Sequence, residues 1–441
     1  MKPSRGYHLI ALLLAIVIPR EIRAREAITP SPDVGHIIKD LDGLHIDGTR
    51  FDPGAPCKVD VQKDLPRPDQ VQPLYLRPGT DLYWLPNIDG QLEIPRGASI
   101  ELHCSHSFTS MDTNLRSIRV QCVQDTTFAW TGSKMKFRDF TCSHAIPYTV
   151  ERLDRRCGDD AAETPKHPAA FWYRVGYDIG DGRFVTTMEL CHDPDLLRTH
   201  YARHQLIPAS VHFQRNVKRL KFSPAGHFTG LDIARIYSHR NQEKVIDAGL
   251  IDIKAGLFLA RGHLAAKADL IYASQQRSSF NYVNVAPQWQ TFNGGLWANL
   301  EEATRRYVAS SGISVTVYTG TYGQMKVAGS RVLHMATDAN NSGVLAVPQL
   351  FYRVLIDNGQ PRRGIALLGV NNPHATLAQI HESYIICDPV EEQVPWLDWL
   401  HKGNAKGKLK QGYLYACSVP DLAQVVHQLP RPLLQVDELL A

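Results

Sequence analysis

The segment from Leu250 to Tyr307 constrains the fold of this chain more than any other part of it. Its first part, Leu250 to Ala260, is rich in apolar residues that favour a strand, and the tripeptide Arg261-Gly262-His263 follows directly. Its last part follows Gly294-Gly295 and has the apolar spacing of an amphipathic helix. We therefore expect a buried strand with His263 just past its end, and a later helix with Asn293 near its N-terminus.

The predicted helix also gathers polar groups. Positions four residues apart on an α-helix drift by only about 40° around its axis. This spacing predicts one stripe made of Asn293, Trp297, Glu301 and Arg305. An imidazole, a neutral oxygen ligand, a carboxylate and an arginine are the groups that metal-assisted cleavage of a phosphodiester requires. The stripe and His263 together predict a site for that chemistry.

The order of these residues resembles the DNA/RNA non-specific endonucleases, a family with a ββα-metal (His-Me finger) core. The resemblance covers Arg261 to Arg305. With the leader and the cysteine-bearing N-terminal region, the whole chain is similar to arthropod secreted nucleases, including double-stranded ribonucleases of gut and saliva. The resemblance implies hydrolysis of RNA, DNA or both, with products that end in a 5′ phosphate.

The resemblance also implies a role for each catalytic residue. His263 matches the general base that takes a proton from the attacking water, and a neutral imidazole with an ordinary pKa of about 6.5 suits that role. Asn293 matches the single protein ligand of a Mg²⁺ ion, for which Mn²⁺ is an expected substitute. Glu301 matches the carboxylate that holds the waters of that ion. One carboxamide and several waters suit Mg²⁺ and would bind zinc poorly.

The remaining family positions are cationic or polar. Arg261 and Arg305 match the cations set against the scissile phosphate, and their alternative role is that of structural arginines. Asn284 and Gln288 match residues that shape the site, and a purely structural hydrogen-bonding role fits them equally well. Ala260 departs from the family, which commonly has an aspartate before Arg-Gly-His, and this puts the hydrogen bonding around His263 in doubt. Trp297 and Leu300 are expected to be packing residues.

Composition and charge limit the class of protein. The formal net charge is +4, and the first 24 residues contribute three of these charges (four basic residues minus Glu21), so the remaining chain is nearly neutral. Any surface that binds nucleic acid must therefore be a local cluster of basic residues. The candidate substrate-binding cations are Arg215, Lys218 and Arg219, with Lys221 beside them, and a second basic run, Lys402 to Lys410, is expected to be a solvated loop.

The N-terminus and the cysteines indicate secretion. Residues 1–24 have the layout of a signal peptide, and no other segment is long and apolar enough to cross a membrane. The eight cysteines are even in number and lack a CxxC pair, so disulfides are favoured over zinc. Proximity suggests the pairs Cys157–Cys191 and Cys387–Cys417. Asn340 begins the one glycosylation sequon.

The domain prediction follows from the strand patterns. Residues 25–150 hold four cysteines and short alternating stretches, which predict a small disulfide-stapled β-rich module that could assist folding, hold substrate or be a propeptide. Residues 151–434 would form the nuclease domain, with further strands and flanking helices. The expected fold class is α+β, a ββα-metal nuclease core with a mixed sheet. The expected partner is RNA or DNA, with no membrane and no obligate protein partner. Oligomeric state and duplex or single-strand preference stay open.

Two other functions fit the sequence. A secreted nucleic-acid-binding protein could keep the fold and have lost turnover. Salivary relatives make this alternative conceivable and Ala260 makes it slightly less remote, but the joint presence of His263, Asn293 and Glu301 opposes it. Ala260 removes none of the groups with a chemical role, and we interpret it as a lineage difference. A hydrolase of other phosphate esters would be favoured only by good cleavage of small diesters and poor cleavage of polymers.

Overall fold

The structure is a computed structural model, and it describes residues 54–441 apart from 110, 112, 158–169, 328–329, 360, 405, 431–432 and 434. The predicted signal peptide, residues 1–24, lies outside the described residues, as does the start of the predicted N-terminal module. In the described part of the chain, no helix has the length and apolar character needed to cross a lipid bilayer.

The N-terminal region is made of short strands, as the alternating sequence predicts. Its strands are β1 (Cys57–Asp60), β2 (Leu74–Leu76), β3 (Gln91–Ile94), β4 (Ser99–His103), β5 (Ser117–Gln124), β6 (Thr127–Trp130) and β7 (Ser133–Lys136). They form a five-stranded sheet in the order β2-β4-β5-β6-β7 and a separate β1-β3 pair. Along β5 every second residue from Ile118 to Cys122 is buried, because successive side chains of a strand point to opposite faces.

The rest of the chain is built on one large sheet. Its strands are β8 (Thr149–Arg156), β9 (Phe171–Gly180), β10 (Arg183–Asp193), β11 (Arg198–Leu206), β14 (Val315–Tyr322), β19 (Leu350–Asp357), β20 (Arg363–Val370), β21 (Leu414–Cys417) and β22 (Glu438–Leu439). The order is β21-β20-β19-β14-β11-β10-β9-β8, with β22 also on β20. Only the β20–β22 pair is parallel, so the sheet is mixed, as expected.

Helices and small strand pairs surround this sheet. The helices are α1 (Ile233–Ile236), α2 (His239–Val245), α3 (Ala273–Ser278), α4 (Gln290–Asn293), α5 (Leu296–Ser311), α6 (Leu377–Ser383), α7 (Trp399–Gly403) and α8 (Val419–Val425). The small pairs are β12 (Leu259–His263) with β13 (Val285–Trp289), β15 (Lys326–Val327) with β16 (Arg331–Val332), and β17 (His334–Thr337) with β18 (Gly343–Ala346).

The large sheet is covered on both faces. All eight residues of β19 are buried. Phe351 and Leu355 pack into the core that includes Trp297 and Leu300 of α5, whereas Tyr352 and Val354 pack into the core that includes Leu422 of α8. A strand buried on both faces has apolar residues at consecutive positions, which explains its sequence. The predicted packing roles of Trp297 and Leu300 are confirmed, since each is 1% exposed.

The predicted strand from Leu250 to Ala260 is wrong over most of its length. The chain from Asp252 to Leu257 is a tight loop closed by a single bridge between those two residues. Gly256 has a positive φ of 75°, and the Asp252 carboxylate accepts a hydrogen bond from the Ala255 backbone N–H. The side-chain hydrogen bond of Asp252 and the left-handed glycine outweigh the apolar composition of the segment. The strand therefore begins at Leu259 and includes His263 as its last residue.

All eight cysteines form disulfides. The proximity-based pairs Cys157–Cys191 and Cys387–Cys417 are confirmed. The other two bonds, Cys57–Cys122 and Cys104–Cys142, join strands and loops of the N-terminal region. The limits predicted for the module, 25–150, and for the nuclease domain, 151–434, stay predictions.

Candidate active site

The predicted catalytic and metal-binding residues lie on a two-stranded ribbon and the helices that follow it. β12 and β13 are antiparallel, with His263 opposite Val285 and Ala260 opposite Gln288. The chain continues directly from β13 into α4 and then α5. The succession is therefore strand, strand, helix, with His263 at the end of the first strand.

The predicted helix is interrupted near Asn293. Asn293 is the last residue of the short helix α4, and α5 starts only at Leu296, so Asn293 is not within the first turn of one continuous helix. A Cβ atom on Gly295 would lie 2.3 Å from the Thr291 carbonyl oxygen, a contact that only glycine avoids. The single stripe predicted from Asn293 to Arg305 is therefore wrong at its first position, whereas Trp297, Glu301 and Arg305 share α5.

His263 lies in an aromatic pocket next to cations. The rings of Phe222 and Phe280 lie 5.1 and 5.2 Å from its imidazole, centre to centre, and its buried Nε2 has no hydrogen-bond partner among the described residues. Burial, and to a smaller extent the charges of Arg219 and Lys267, lower the pKa of His263 to about 3. The imidazole is therefore neutral at physiological pH and its lone pair is free to accept a proton.

Arg261 lies next to this pocket and is held by neutral groups. Its Nε donates to the Tyr282 hydroxyl at 3.0 Å and its guanidinium lies 5.2 Å from the ring centre of Tyr237. No carboxylate pairs with it among the described residues. A guanidinium held by neutral groups remains available to an anion.

Asn284, just before β13, and Gln288, within β13, differ in the hydrogen bonds that they can still form. Asn284 is fully buried, and its amide exchanges hydrogen bonds with both backbone groups of Ala265 and donates to Ser279. Gln288 is also fully buried, but neither its oxygen nor its nitrogen has a partner in the described part of the chain. A Cβ atom on Gly262 would lie 2.3 Å from the Gln288 Oε1, so glycine is needed there. Of the two, Gln288 has unused hydrogen-bonding capacity.

Asn293 offers a neutral oxygen. It is half-buried, and its side chain makes one long hydrogen bond, from Nδ2 to Gln290 Oε1 at 3.4 Å, which leaves Oδ1 free of described partners. The described residues contain one group of three acidic, histidine or cysteine side chains that could share a metal, Cys387, Cys417 and Asp421, but its cysteines are already bonded to each other. An amide oxygen without a thiolate or imidazole beside it fits a hydrated hard cation such as Mg²⁺ and does not fit zinc.

Arg305 belongs to a buried ionic network around Asp269. Asp269 is bonded to Arg305 Nη1 at 2.9 Å, Arg353 Nη2 at 2.8 Å and His204 Nε2 at 2.9 Å. Burial alone would raise the pKa of Asp269, but Arg353, His204 and Arg305 outweigh it and hold that pKa well below its usual range. Sequence reasoning missed Asp269, Arg353 and His204, because no local motif marks residues that meet only through the sheet.

Glu301 lies next to the same network. Its burial, and then the negative charge of Asp269, raise the pKa of Glu301 to about 7. The positive charges of Arg353 and Arg305 oppose this shift without cancelling it. Glu301 is thus close to half-protonated at neutral pH, which is unusual for a glutamate.

The predicted substrate-binding cations are exposed. Arg215, Lys218 and Arg219 all lie on the surface. Of the three, Arg219 reaches the site, since its guanidinium is 5.5 Å from the Phe280 ring centre and its charge acts on His263. Lys267, which sequence analysis missed, acts on His263 as well.

The structure gathers the predicted residues into two neighbourhoods. Arg261 and His263 share the aromatic pocket with Arg219, whereas Glu301 and Arg305 share the Asp269 network. No hydrogen bond or ion pair in the described part of the chain joins His263 to Asn293 or Glu301. A cavity of about 510 Å³ borders β13 at Val285 to Pro287, but none of the predicted site residues lines it.

Comparison with known proteins adds a family. The model of the family described as DNA/RNA non-specific endonuclease matches residues 170–422. The matched span is more than half of the chain and contains every residue predicted for the active site.

Individual relatives are salivary proteins. A salivary endonuclease of Lutzomyia longipalpis is 24% identical over 335 residues, or 73% of this chain and 75% of that protein. Salivary protein Tsal1 of Glossina morsitans morsitans is 24% identical over 68% of this chain and 73% of its own length. A chain of the EndoG/EndoGI complex is 18% identical and covers 57% of this chain and 87% of that one. Its TM-score of 0.34 is too low to establish a shared architecture.

Proposed function

Because the chain belongs to the DNA/RNA non-specific endonuclease family, we propose that it is a secreted, metal-dependent endonuclease that hydrolyses phosphodiester bonds of RNA, DNA or both. Double-stranded RNA is among the candidate substrates. The observation that carries the proposal is the position of His263, neutral at the end of the ribbon and next to cations that pair with no carboxylate among the described residues. A neutral base in a positive setting suits attack of water on a phosphodiester.

In this proposal His263 accepts the proton of the attacking water. A base with a pKa of about 3 is weak, but that pKa belongs to the protein without substrate. A bound phosphodiester brings negative charge beside the imidazole and favours its protonated form, so the pKa of His263 rises when substrate binds. The base then becomes stronger in the complex in which it acts.

The other residues supply charge and position. Asn293 would hold Mg²⁺ through Oδ1, with Mn²⁺ as a substitute, and Glu301 would hold waters of that ion. When bound, the ion stabilises negative charge on the phosphate and the leaving oxygen. Arg261 faces the phosphate, and Arg305 contributes positive charge from its place on Asp269. Gln288 shapes the site from its buried position beside Gly262.

Three features support secretion. The sequence begins with a predicted signal peptide, the structure has four disulfides, and the relatives above are salivary proteins. Disulfides of this number suit an oxidising compartment. Asn340, the predicted glycosylation position, is exposed at the turn between β17 and β18.

A second function has one observation in its favour. Ala260 lacks the carboxylate that the family commonly has before Arg-Gly-His. A relative that binds nucleic acid without turnover would show this kind of change. The two functions differ in a single measurable property, which is metal-dependent cleavage.

The test is digestion of duplex RNA and duplex DNA in parallel by the purified mature protein, with Mg²⁺ and with chelator. We expect cleavage of at least one polymer that chelator abolishes and Mg²⁺ restores. Binding of both polymers without cleavage would contradict the endonuclease proposal and support the inactive binding protein. Good cleavage of small diesters with none of polymers would indicate a different phosphodiesterase.

A further inference from the structure

The surroundings of the His263 pocket include two cations, Lys267 and Arg277, to which the proposed function gives no role. Lys267 follows His263 by four residues, and Arg277 lies in α3. Both are half-buried, and Arg219 lies over Phe280, the ring that also contacts His263. Arg219 and Lys267 thus act on the proposed base directly, and Arg277 acts on Lys267.

The partners of these cations are neutral. The Lys267 ammonium donates to the Val217 carbonyl at 3.0 Å, and Arg277 Nη2 donates to the Pro68 carbonyl at 2.9 Å. Among the described residues, no ion pair involves Lys267, Arg277 or Arg219. A carbonyl fixes a cation in place without cancelling its charge, so each remains able to bind an anion.

These like charges disfavour one another. Burial, followed by the charges of Arg219 and Arg277, lowers the pKa of Lys267. Like charges held together without an acidic partner cost free energy, and a bound anion relieves that cost. A cluster with this property is suited to a ligand rather than to stabilising the fold.

We propose that Lys267 and Arg277 form a phosphate subsite beside His263, which binds a backbone phosphate of the nucleic acid next to the scissile one. The inference rests on the proposed function for the identity of the polymer. The chemistry it requires is a phosphodiester polyanion, because a second phosphate one nucleotide away is present in any polymer and absent from a single diester. Arg219 acts on both Lys267 and the base. The Pro68 carbonyl makes the N-terminal region part of the substrate-binding surface.

The test measures binding, so it does not depend on turnover. A fluorescent short duplex is titrated with the full mature protein in chelator, across salt from about 50 to 200 mM. The variants are Lys267→Gln, Arg277→Gln and both together. Lys267→Arg and Arg277→Lys conserve the charge, and Lys134→Gln removes an exposed lysine of β7 as a matched control.

Each phosphate contact contributes about one unit to the slope of log affinity against log salt. We expect each single variant to reduce the slope by about one unit, and to weaken binding roughly tenfold at the lower salt. The double variant should lose about two units, and the charge-conserving and control variants should keep the wild-type slope. Thermal stability should not fall in Lys267→Gln, since the removed charge was repelled by its neighbours.

Two outcomes overturn the subsite. One is an unchanged slope in the double variant, and the other is a melting temperature that falls together with affinity, which would indicate a structural role. The proposed function fails separately. If the wild-type protein binds with the expected slope but does not cleave with Mg²⁺, the subsite proposal stands and the endonuclease proposal is contradicted.

Discussion

Arg305 donates a hydrogen bond from Nη1 to Oδ1 of Asp269 across 2.9 Å, in the interior of the protein. The resemblance predicts this arginine against the scissile phosphate, but its side chain is 9% exposed and bound to a carboxylate that is not exposed at all. Arg353 from β19 shares that carboxylate. Asp269 therefore holds the Arg305 guanidinium in one position, and Arg353 of the central sheet binds the same carboxylate.

Replacing Asp269 by Asn should destabilise the protein strongly. The change leaves Arg305 and Arg353 buried without a counter-charge, a loss of about 3–5 kcal/mol for a broken buried pair. Urea unfolding at neutral pH measures it. Asp247→Asn is the matched control, because Asp247 pairs with Arg331 on the surface, and little change is expected there. Equal stability of the two variants would show that the Asp269 network does not hold the fold together.

The same carboxylate should make stability fall in acid. Because the pKa of Asp269 is depressed in the folded state, its contribution is present above the unfolded pKa of about 3.9 and is lost as pH falls below it. The wild type should therefore lose more stability than Asp269→Asn between neutral pH and about pH 3. Parallel curves for the two proteins would contradict the assignment.

Glu301 should give stability the opposite pH dependence, with a loss as the pH rises. Its pKa is raised from 4.5 to about 7 by burial, so the folded state is favoured when Glu301 is protonated. This stabilisation is present below the unfolded value and is lost as pH rises through about 7. Glu301→Gln should therefore melt higher than wild type at about pH 8, and the difference should shrink by about pH 4. Glu302→Gln, an exposed neighbour on α5, should show no such pH dependence.

The low pKa of His263 should depend mainly on its aromatic walls. Burial is the largest cause of the shift, and Arg219 and Lys267 are smaller ones. Phe222→Ala admits water to the imidazole and should raise the pKa of His263 from about 3 toward 6.5, more than Lys267→Gln does. NMR titration of the imidazole measures both variants. A larger shift in Lys267→Gln would mean that charge, and not burial, sets the pKa.

The N-terminal region should affect substrate affinity through Gln62. The Gln62 amide donates to the carbonyls of His212 and Phe213, just before the exposed cations Arg215 to Arg219. Gln62→Ala should raise KM for polymer several-fold and leave kcat unchanged, because two hydrogen bonds of about 1 kcal/mol each position that segment. Gln121→Ala, which loses a bond to Gly97 within the module, is the control. If the KM of Gln62→Ala is as low as that of Gln121→Ala, the N-terminal region does not contribute to substrate binding through Gln62.

The sequence predicted features that depend on local patterns. The strands near Ile100, Val120 and Tyr173 alternate or run apolar in the way their burial requires, and the disulfides 157–191 and 387–417 follow from short separation. The predictions were wrong where a glycine interrupts an element. Gly256 lies in a turn within the predicted strand, and Gly295 separates the two helices that were predicted as one.

Long-range partners could not be predicted from one sequence. Asp269 and Arg353 are 84 residues apart and meet only in the folded chain, where a turn after β12 lies against β19. Arg277 and Pro68 are 209 residues apart. No periodicity or motif connects residues at such separations, so the sequence identified the family residues but not the groups that orient them.

The most direct test of the central claim compares His263→Ala with wild type in the same Mg²⁺-dependent digestion of duplex RNA and DNA, with binding measured in chelator. His263 is the proposed base, so its loss should abolish cleavage and leave binding largely intact. Near-wild-type turnover by His263→Ala would contradict the account.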